Sequence, residues 1–189
     1  VRVQYLWSPV GTDILILRDR DTDNNGTLDE RLFVQQDAQS NVTALVNTSG
    51  VVVERVVQDP YGLRTVLTAA WAATTTAYAW KYYHQGLRLD ATGTLYDNRM
   101  RMYSPTLMLF LQNDPIGFLG GDQNTYRYVG DSPTGRMDPS GLAVRTFQAP
   151  VTSYVVIIDR TGVIRYTGVG EEQDLQRALE GVVQPCRDA

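Results

Sequence analysis

From Val1 to about Arg64 the sequence is cut into short runs of β-forming residues, each closed by a turn residue. "VRVQYLW", "DILILRD", "RLFVQQD", "NVTALVN" and "VVVERVVQD" are rich in Val, Ile, Leu and Tyr, and each ends at Asp, Asn, Gly or Pro. Branched and aromatic side chains suit a pleated surface, whereas Asp, Asn, Gly and Pro stop strands and make tight turns. Runs this short and regular predict antiparallel hairpins rather than βαβ units.

The punctuation is chemically specific. "TSG" at Thr48 to Gly50 and "DPYG" at Asp59 to Gly62 are turns in which Gly accepts a positive φ; in the second, Pro also presets φ. The Asp-Pro-x-Gly unit returns as "DPIG" (Asp114 to Gly117) and "DPSG" (Asp138 to Gly141), separated by a loop rich in Gly and Tyr. Between the two halves, "TAAWAATTTAYA" from Thr68 to Ala79 has no clear period and reads as a variable loop or one short helical turn. Strand character resumes at "WKYYHQG" and "TGTLYDNRMRMYS". After Leu142 the texture changes. "SYVVIIDRTGVIRYTGVG" reads as a hairpin, and "EEQDLQRALEGVV" places Leu175, Ala178, Leu179, Val182 and Val183 at helical spacing, with acids in the first turn.

Composition narrows the function classes. The 189 residues carry a net charge of −4, and Lys81 is the one lysine among the basic residues, so the cationic footprint of a nucleic-acid binder is missing. No apolar run is long enough to cross a bilayer as a helix. Cys186, the single cysteine, excludes an intrachain disulfide and a multi-cysteine metal site. The chain opens at Val1 without a signal-like segment, which suggests a piece of a longer polypeptide.

The stretch "LYDNRMRMYSPTLMLFLQNDPIGFLGGDQNTYRYVGDSPTGRMDPSGL", Leu95 to Leu142, resembles the C-terminal core of the RHS/YD-repeat family. Upstream, "NVTALVNTSGVVVERVVQDPYG" is similar to that family's hairpin repeats, and the resemblance covers residues 1–142. It implies a β-sheet that spirals into a hollow shell around a C-terminal segment, often a toxin. It also implies an aspartyl-type autoprotease that closes the shell and cuts after the terminal Leu. On that basis Asp114 and Asp138 are the paired carboxylates, Arg101 supports them, and the cleaved bond is Leu142–Ala143. Two carboxylates can do this chemistry when one acts as base on a water and the other as acid toward the carbonyl. No cofactor is required.

The sequence departs from the family pattern at Met102, at Met108-Leu109, and at Asn113, where the family usually has Arg before Asp-Pro-Ile-Gly. The alternative is therefore a non-catalytic structural or cell-surface β module whose core has lost the protease. As a turn, Asp-Pro-x-Gly is common, because Asp caps and Pro fixes the backbone.

"DTDNNGTLDE" is a candidate calcium loop. Asp21, Asp23, Asn25, Gly26 and Asp29 fall at positions one, three, five, six and nine, with the Thr27 carbonyl as backbone ligand. Position twelve is Leu32 instead of a bidentate Glu, so calcium binding would be weak; a polar hairpin loop explains the same residues.

The tail "APVTSYVVIIDRTGVIRYTGVGEEQDLQRAL" resembles the last hairpin and helix of thioredoxin-like redoxins, without their Cys-x-x-Cys. His84 stands alone and is expected to be packed rather than to bind metal. Tyr78, Trp80, Tyr82 and Tyr83, with Tyr126 and Tyr128, are expected to pack within the sheet.

The expected fold is mainly β, with hairpins of a YD-repeat shell segment at 1–67, a variable loop and strand at 68–94, a loop-rich core at 95–142 and a ββα tail at 143–189. The expected partners are the rest of a longer chain and its C-terminal segment, in a secreted or cell-surface setting; neither nucleic acid nor a membrane span is expected. Exposed strand edges invite self-association.

Overall fold

The computed structural model describes residues 2–142, together with the backbone of strands at 145–146, 154–158 and 164–169. The chain divides into two compact units, Val1–Phe147 and Gln148–Ala189.

The first unit begins with six strands: β1 (Val3–Trp7), β2 (Leu15–Arg20), β3 (Glu30–Gln36), β4 (Val42–Asn47), β5 (Val52–Gln58) and β6 (Arg64–Thr68). They form one antiparallel meander in sequence order. The antiparallel hairpins expected from the short runs are therefore present, with one strand more than the quoted runs supply. Each turn closes on its own polar residue. Asp37 Oδ1 accepts from the Gln39 and Asn41 amides, Asn47 Oδ1 from Ser49 and Val51, and Asp59 Oδ1 from Tyr61 and Leu63. This local capping is why Asp and Asn stand at the strand ends.

The core segment adds a second antiparallel sheet of four short strands: β7 (Arg88–Leu89), β8 (Tyr96–Asn98), β9 (Arg101–Ser104) and β10 (Leu109–Phe110). β11 (Arg136–Met137) pairs with β12 (Arg145–Thr146), so the chain doubles back across the Asp138 turn. In the second unit, β13 (Tyr154–Ile158) and β14 (Ile164–Val169) form the expected hairpin. The expected C-terminal helix lies outside the described residues.

The two sheets of the first unit share one apolar core. Leu15, Leu32, Val42, Leu45 and Val56 of the meander join Trp80, Tyr83, Tyr96, Tyr103, Phe110 and Tyr128. Tyr103 and Tyr128 stack at a centroid separation of 3.9 Å, and Phe110 meets both edge-on. The buried phenols also find partners. Tyr103 donates to the Tyr61 carbonyl at 2.7 Å and Tyr96 to the Gly62 carbonyl at 3.0 Å, which fastens the first Asp-Pro-x-Gly turn to the second sheet.

One local expectation needs correction. "WKYYHQG" is not a strand: Tyr82 bridges to Arg88, and His84–Gly86 is a single 3-10 turn with Gln85 in the left-handed region. The reason is space. Gly86 lies so close to the backbone of Asp13 that a Cβ there would collide with the Asp13 carbonyl. The aromatic residues around it therefore pack as a cluster of rings, with Trp80 and Tyr83 buried, rather than as a strand face. Of the two readings of residues 68–79, the loop is the one present: a turn at Thr68–Trp71 and a bridge from Leu67 to Ala73 carry the chain across.

Candidate functional site

The tight hairpin between β8 and β9 sets the site. Asn98 and Arg101 are paired across a two-residue turn, Arg99 takes a left-handed φ of 57°, and both paired residues are buried. From β9 the Arg101 side chain runs under the Phe110 ring, its guanidinium carbon 3.6 Å from the ring centroid. That contact holds the planar group where it reaches four partners.

Two of these partners are the sequence-predicted carboxylates. Arg101 Nη2 lies 3.1 Å from Asp114 Oδ2 and 3.1 Å from Asp138 Oδ2. The two oxygens share one nitrogen, so they stand no farther apart than twice that length. Asp114 arrives on the turn that follows β10, where its Oδ1 accepts from the Ile116 amide at 3.0 Å. Asp138 arrives after β11, where its Oδ1 accepts from the Leu142 amide at 3.1 Å and the Ser140 hydroxyl at 3.2 Å. In each case the turn uses one carboxylate oxygen and turns the other toward Arg101.

The other two partners of Arg101 are carbonyls. Nη1 donates to Thr125 at 3.1 Å, and Nε donates to Gly141. Arg101 and Asp138 thus grip the backbone on either side of the Gly141–Leu142 peptide, one by its carbonyl and the other by the next amide. The predicted bond is the following one. Leu142 is half-buried, and Ala143 lies outside the described residues.

Asp59 is the internal comparison. It makes the same turn, yet among the described residues it has no ion pair. The turn is generic; the convergence on Arg101 belongs to the second and third copies alone. Arg101 and Asp138 are 4% and 2% exposed, so their pairing is strong in a way that a surface pair is not. Loss of Arg101 would leave the carboxylate pair without its counter-charge, whereas loss of Asp138 leaves Arg101 paired with Asp114.

Asn113, where the sequence departs from the family pattern, accepts from the Thr125 hydroxyl at 2.6 Å, while Thr125 offers its carbonyl to Arg101. Met108 is exposed, with a left-handed φ of 59°. Sequence reasoning missed Thr125, Ser140 and Asn98, which are brought to the site only by tertiary contacts.

The Asp21–Asp29 loop is held by its own hydrogen bonds. Asp21 accepts from the Asn25 and Gly26 amides, Asp23 from Asn25, and Asp29 from the amide and hydroxyl of Thr22. The Thr22 hydrogen bonds hold the Asp29 carboxyl below its ordinary range. Among the described residues, no three His, Cys, Asp or Glu side chains are grouped to hold a metal ion. No described helix is long and apolar enough to cross a membrane.

No family model matches the chain. Toxin protein Tse5 of Pseudomonas aeruginosa is 42% identical over 60 residues, covering 32% of this chain and 4% of that protein. Probable deoxyribonuclease RhsB of Dickeya dadantii is 46% identical over 57 residues, covering 30% and 4%. Among solved structures, TcdB2-TccC3 without its hypervariable C-terminal region superposes with a TM-score of 0.54 at 26% identity, over 67% of this chain and 6% of that one. The chain thus spans only a small part of the length of each of these proteins.

Proposed function

We propose that the chain is a segment of an RHS/YD-repeat protein and that its core cuts the chain after Leu142 and so frees the segment beyond it. In the full-length protein, the meander of β1 to β6 would continue a shell of such repeats around that segment, in a secreted or cell-surface setting. The observation that carries the reading is the convergence of Asp114 and Asp138 on one nitrogen of Arg101, while Arg101 and Asp138 hold Gly141 and Leu142.

The chemistry balances as a hydrolysis. Water adds to the Leu142 carbonyl carbon as one carboxylate takes its proton, and the other, protonated, gives a proton to the carbonyl oxygen. The tetrahedral carbon then expels the Ala143 nitrogen, which leaves protonated, and Leu142 ends as a carboxylate. Arg101 offsets the negative charge of the pair and fixes the peptide. Because the substrate is part of the same fold, its effective concentration is on the order of 10⁵ M or more.

The test is the intact mass of the purified chain beside Asp114→Asn. The wild type is expected as two fragments, 1–142 and 143–189, and the variant as one. Two whole chains in a folded preparation would instead assign the core to a closed structural cap.

A further inference from the structure

The site contains a group that neither the turns nor Arg101 use. The Asn98 side chain is fully buried, and among the described residues neither its Nδ2 nor its Oδ1 has a hydrogen-bond partner. A carboxamide without partners in a protein interior forfeits its hydration with nothing in return, so it stands out from the general rule of satisfied burial. Every other buried polar group at this site is engaged: Arg101 with four partners, Asp138 with Ser140 and Leu142, Ser104 with the Leu107 amide.

Its placement is specific. Asn98 is the cross-strand partner of Arg101, and residues that flank a two-residue turn present their side chains on one face. Both are buried on that face. The Asp138 turn sits directly on this hairpin. A Cβ on Gly141 would run into the Asn98 carbonyl oxygen and would stand 3.3 Å from the amides of Met100 and Arg101. The segment Gly141–Leu142 is therefore seated on the turn that Asn98 begins, with the carboxamide beside the arginine that clamps it.

We propose that Asn98 is the oxyanion donor of the self-cleavage, its carboxamide N–H received by the Leu142 carbonyl oxygen as that carbon becomes tetrahedral. The inference rests on the cleavage reading above and adds to it a third side chain besides the dyad and Arg101. A donor kept unpaired in the ground state is the form such a group takes when its hydrogen bond is made chiefly in the transition state. It also supplies what Arg101 cannot. The arginine's Nε and both terminal nitrogens already face Gly141, Thr125 and the two carboxylates.

The inference predicts changes of opposite sign in two measurements. Asn98→Leu replaces an unpartnered buried amide with an apolar side chain of similar size, a change that is near neutral or stabilising when no partner is orphaned. Cleavage should slow by about 100-fold, the low end of the effect of removing one oxyanion donor. Stability is compared in the non-cleaving Asp114→Asn background, where Asn98→Leu should keep or raise Tm. Asn98→Ser, which retains a short donor, should cleave faster than Asn98→Leu. If the wild type cleaves and Asn98→Leu cleaves within about threefold of it, the oxyanion role is overturned while the cleavage reading stands. If Asn98→Leu and Asn98→Ser both lose Tm and rate together, Asn98 is structural. A wild type that stays whole removes the cleavage reading and this inference with it.

Discussion

Asp13 and Arg99, 86 positions apart in sequence, are joined by an ion pair of 2.5 Å between Asp13 Oδ1 and Arg99 Nη2. The other terminal nitrogen of Arg99 donates to the Pro139 carbonyl, inside the third Asp-Pro-x-Gly turn. One half-exposed side chain therefore connects the β1–β2 turn of the repeat segment to the turn that carries Asp138. As an ion pair it is worth about 1 kcal/mol or less, since the arginine is largely hydrated. Its larger effect is on position.

Arg99→Ala and Asp13→Ala are therefore expected to leave global stability within about 1 kcal/mol of wild type. They should nonetheless slow cleavage about tenfold, because small displacements of a reacting group are costly. Urea denaturation and the time course of fragment appearance separate the two effects. Equal rates in wild type and both variants would mean that the Asp138 turn is held without the repeat segment.

The three Asp-Pro-x-Gly turns provide a matched pair of substitutions. Asn can replace the capping oxygen of Asp but cannot ionise or share a proton in the same way. Asp59→Asn should change stability by less than about 1 kcal/mol and leave cleavage intact. Asp138→Asn should abolish cleavage while the chain remains folded. If Asp59→Asn were as damaging to cleavage as Asp138→Asn, turn geometry rather than the carboxylate pair would be responsible.

The glycines of the second and third turns differ in a way that can be tested. Gly117 has a φ of 55° with open space around it, whereas Gly141 has a φ of 74° and lies against the Asn98 carbonyl. Alanine at either position incurs a left-handed penalty of about 1–2 kcal/mol. Only at Gly141 must the neighbouring backbone also move, taking Leu142 with it. Gly117→Ala should therefore still cleave and Gly141→Ala should not, as read by intact mass. The reverse order would place the reacting peptide near Gly117.

These turns also explain what the sequence discloses. Asp37, Asn47 and Asp59 cap the amides that follow them, so strand ends are written in adjacent residues and the meander is legible. Asp114, Asp138 and Arg101 are legible because they sit in an ordered motif. Asn98, Thr125 and the Asp13–Arg99 pair are not, since contacts between distant segments leave no local period. The 3-10 turn at His84 was hidden for the same reason: its bend is imposed by Asp13, and its own residues read as a strand.

His84 carries the last prediction. It is 2% exposed, its Nε2 lies 3.1 Å from the Tyr128 hydroxyl, and its ring stacks on Tyr103. Tyr128 donates its proton to Gln85 Oε1 at 2.9 Å, so His84 is the donor toward Tyr128 and is neutral at Nδ1. Burial pushes its pKa from 6.5 down to about 3. The unfolded chain therefore takes up a proton near pH 6.5 that the folded chain refuses until near pH 3. Stability attributable to neutral His84 is complete above pH 6.5 and falls as pH is lowered through that window. At pH 5 the loss is about 2 kcal/mol, from 1.36 kcal/mol for each unit of separation. Burial of Glu54, which raises its carboxyl, acts in the opposite direction, so the comparison must isolate the histidine. Urea unfolding of Asp114→Asn at pH 7.5 and pH 5, with and without His84→Phe, does so. The histidine-containing chain should lose stability that the phenylalanine variant keeps; parallel slopes would mean that His84 is protonated inside the fold.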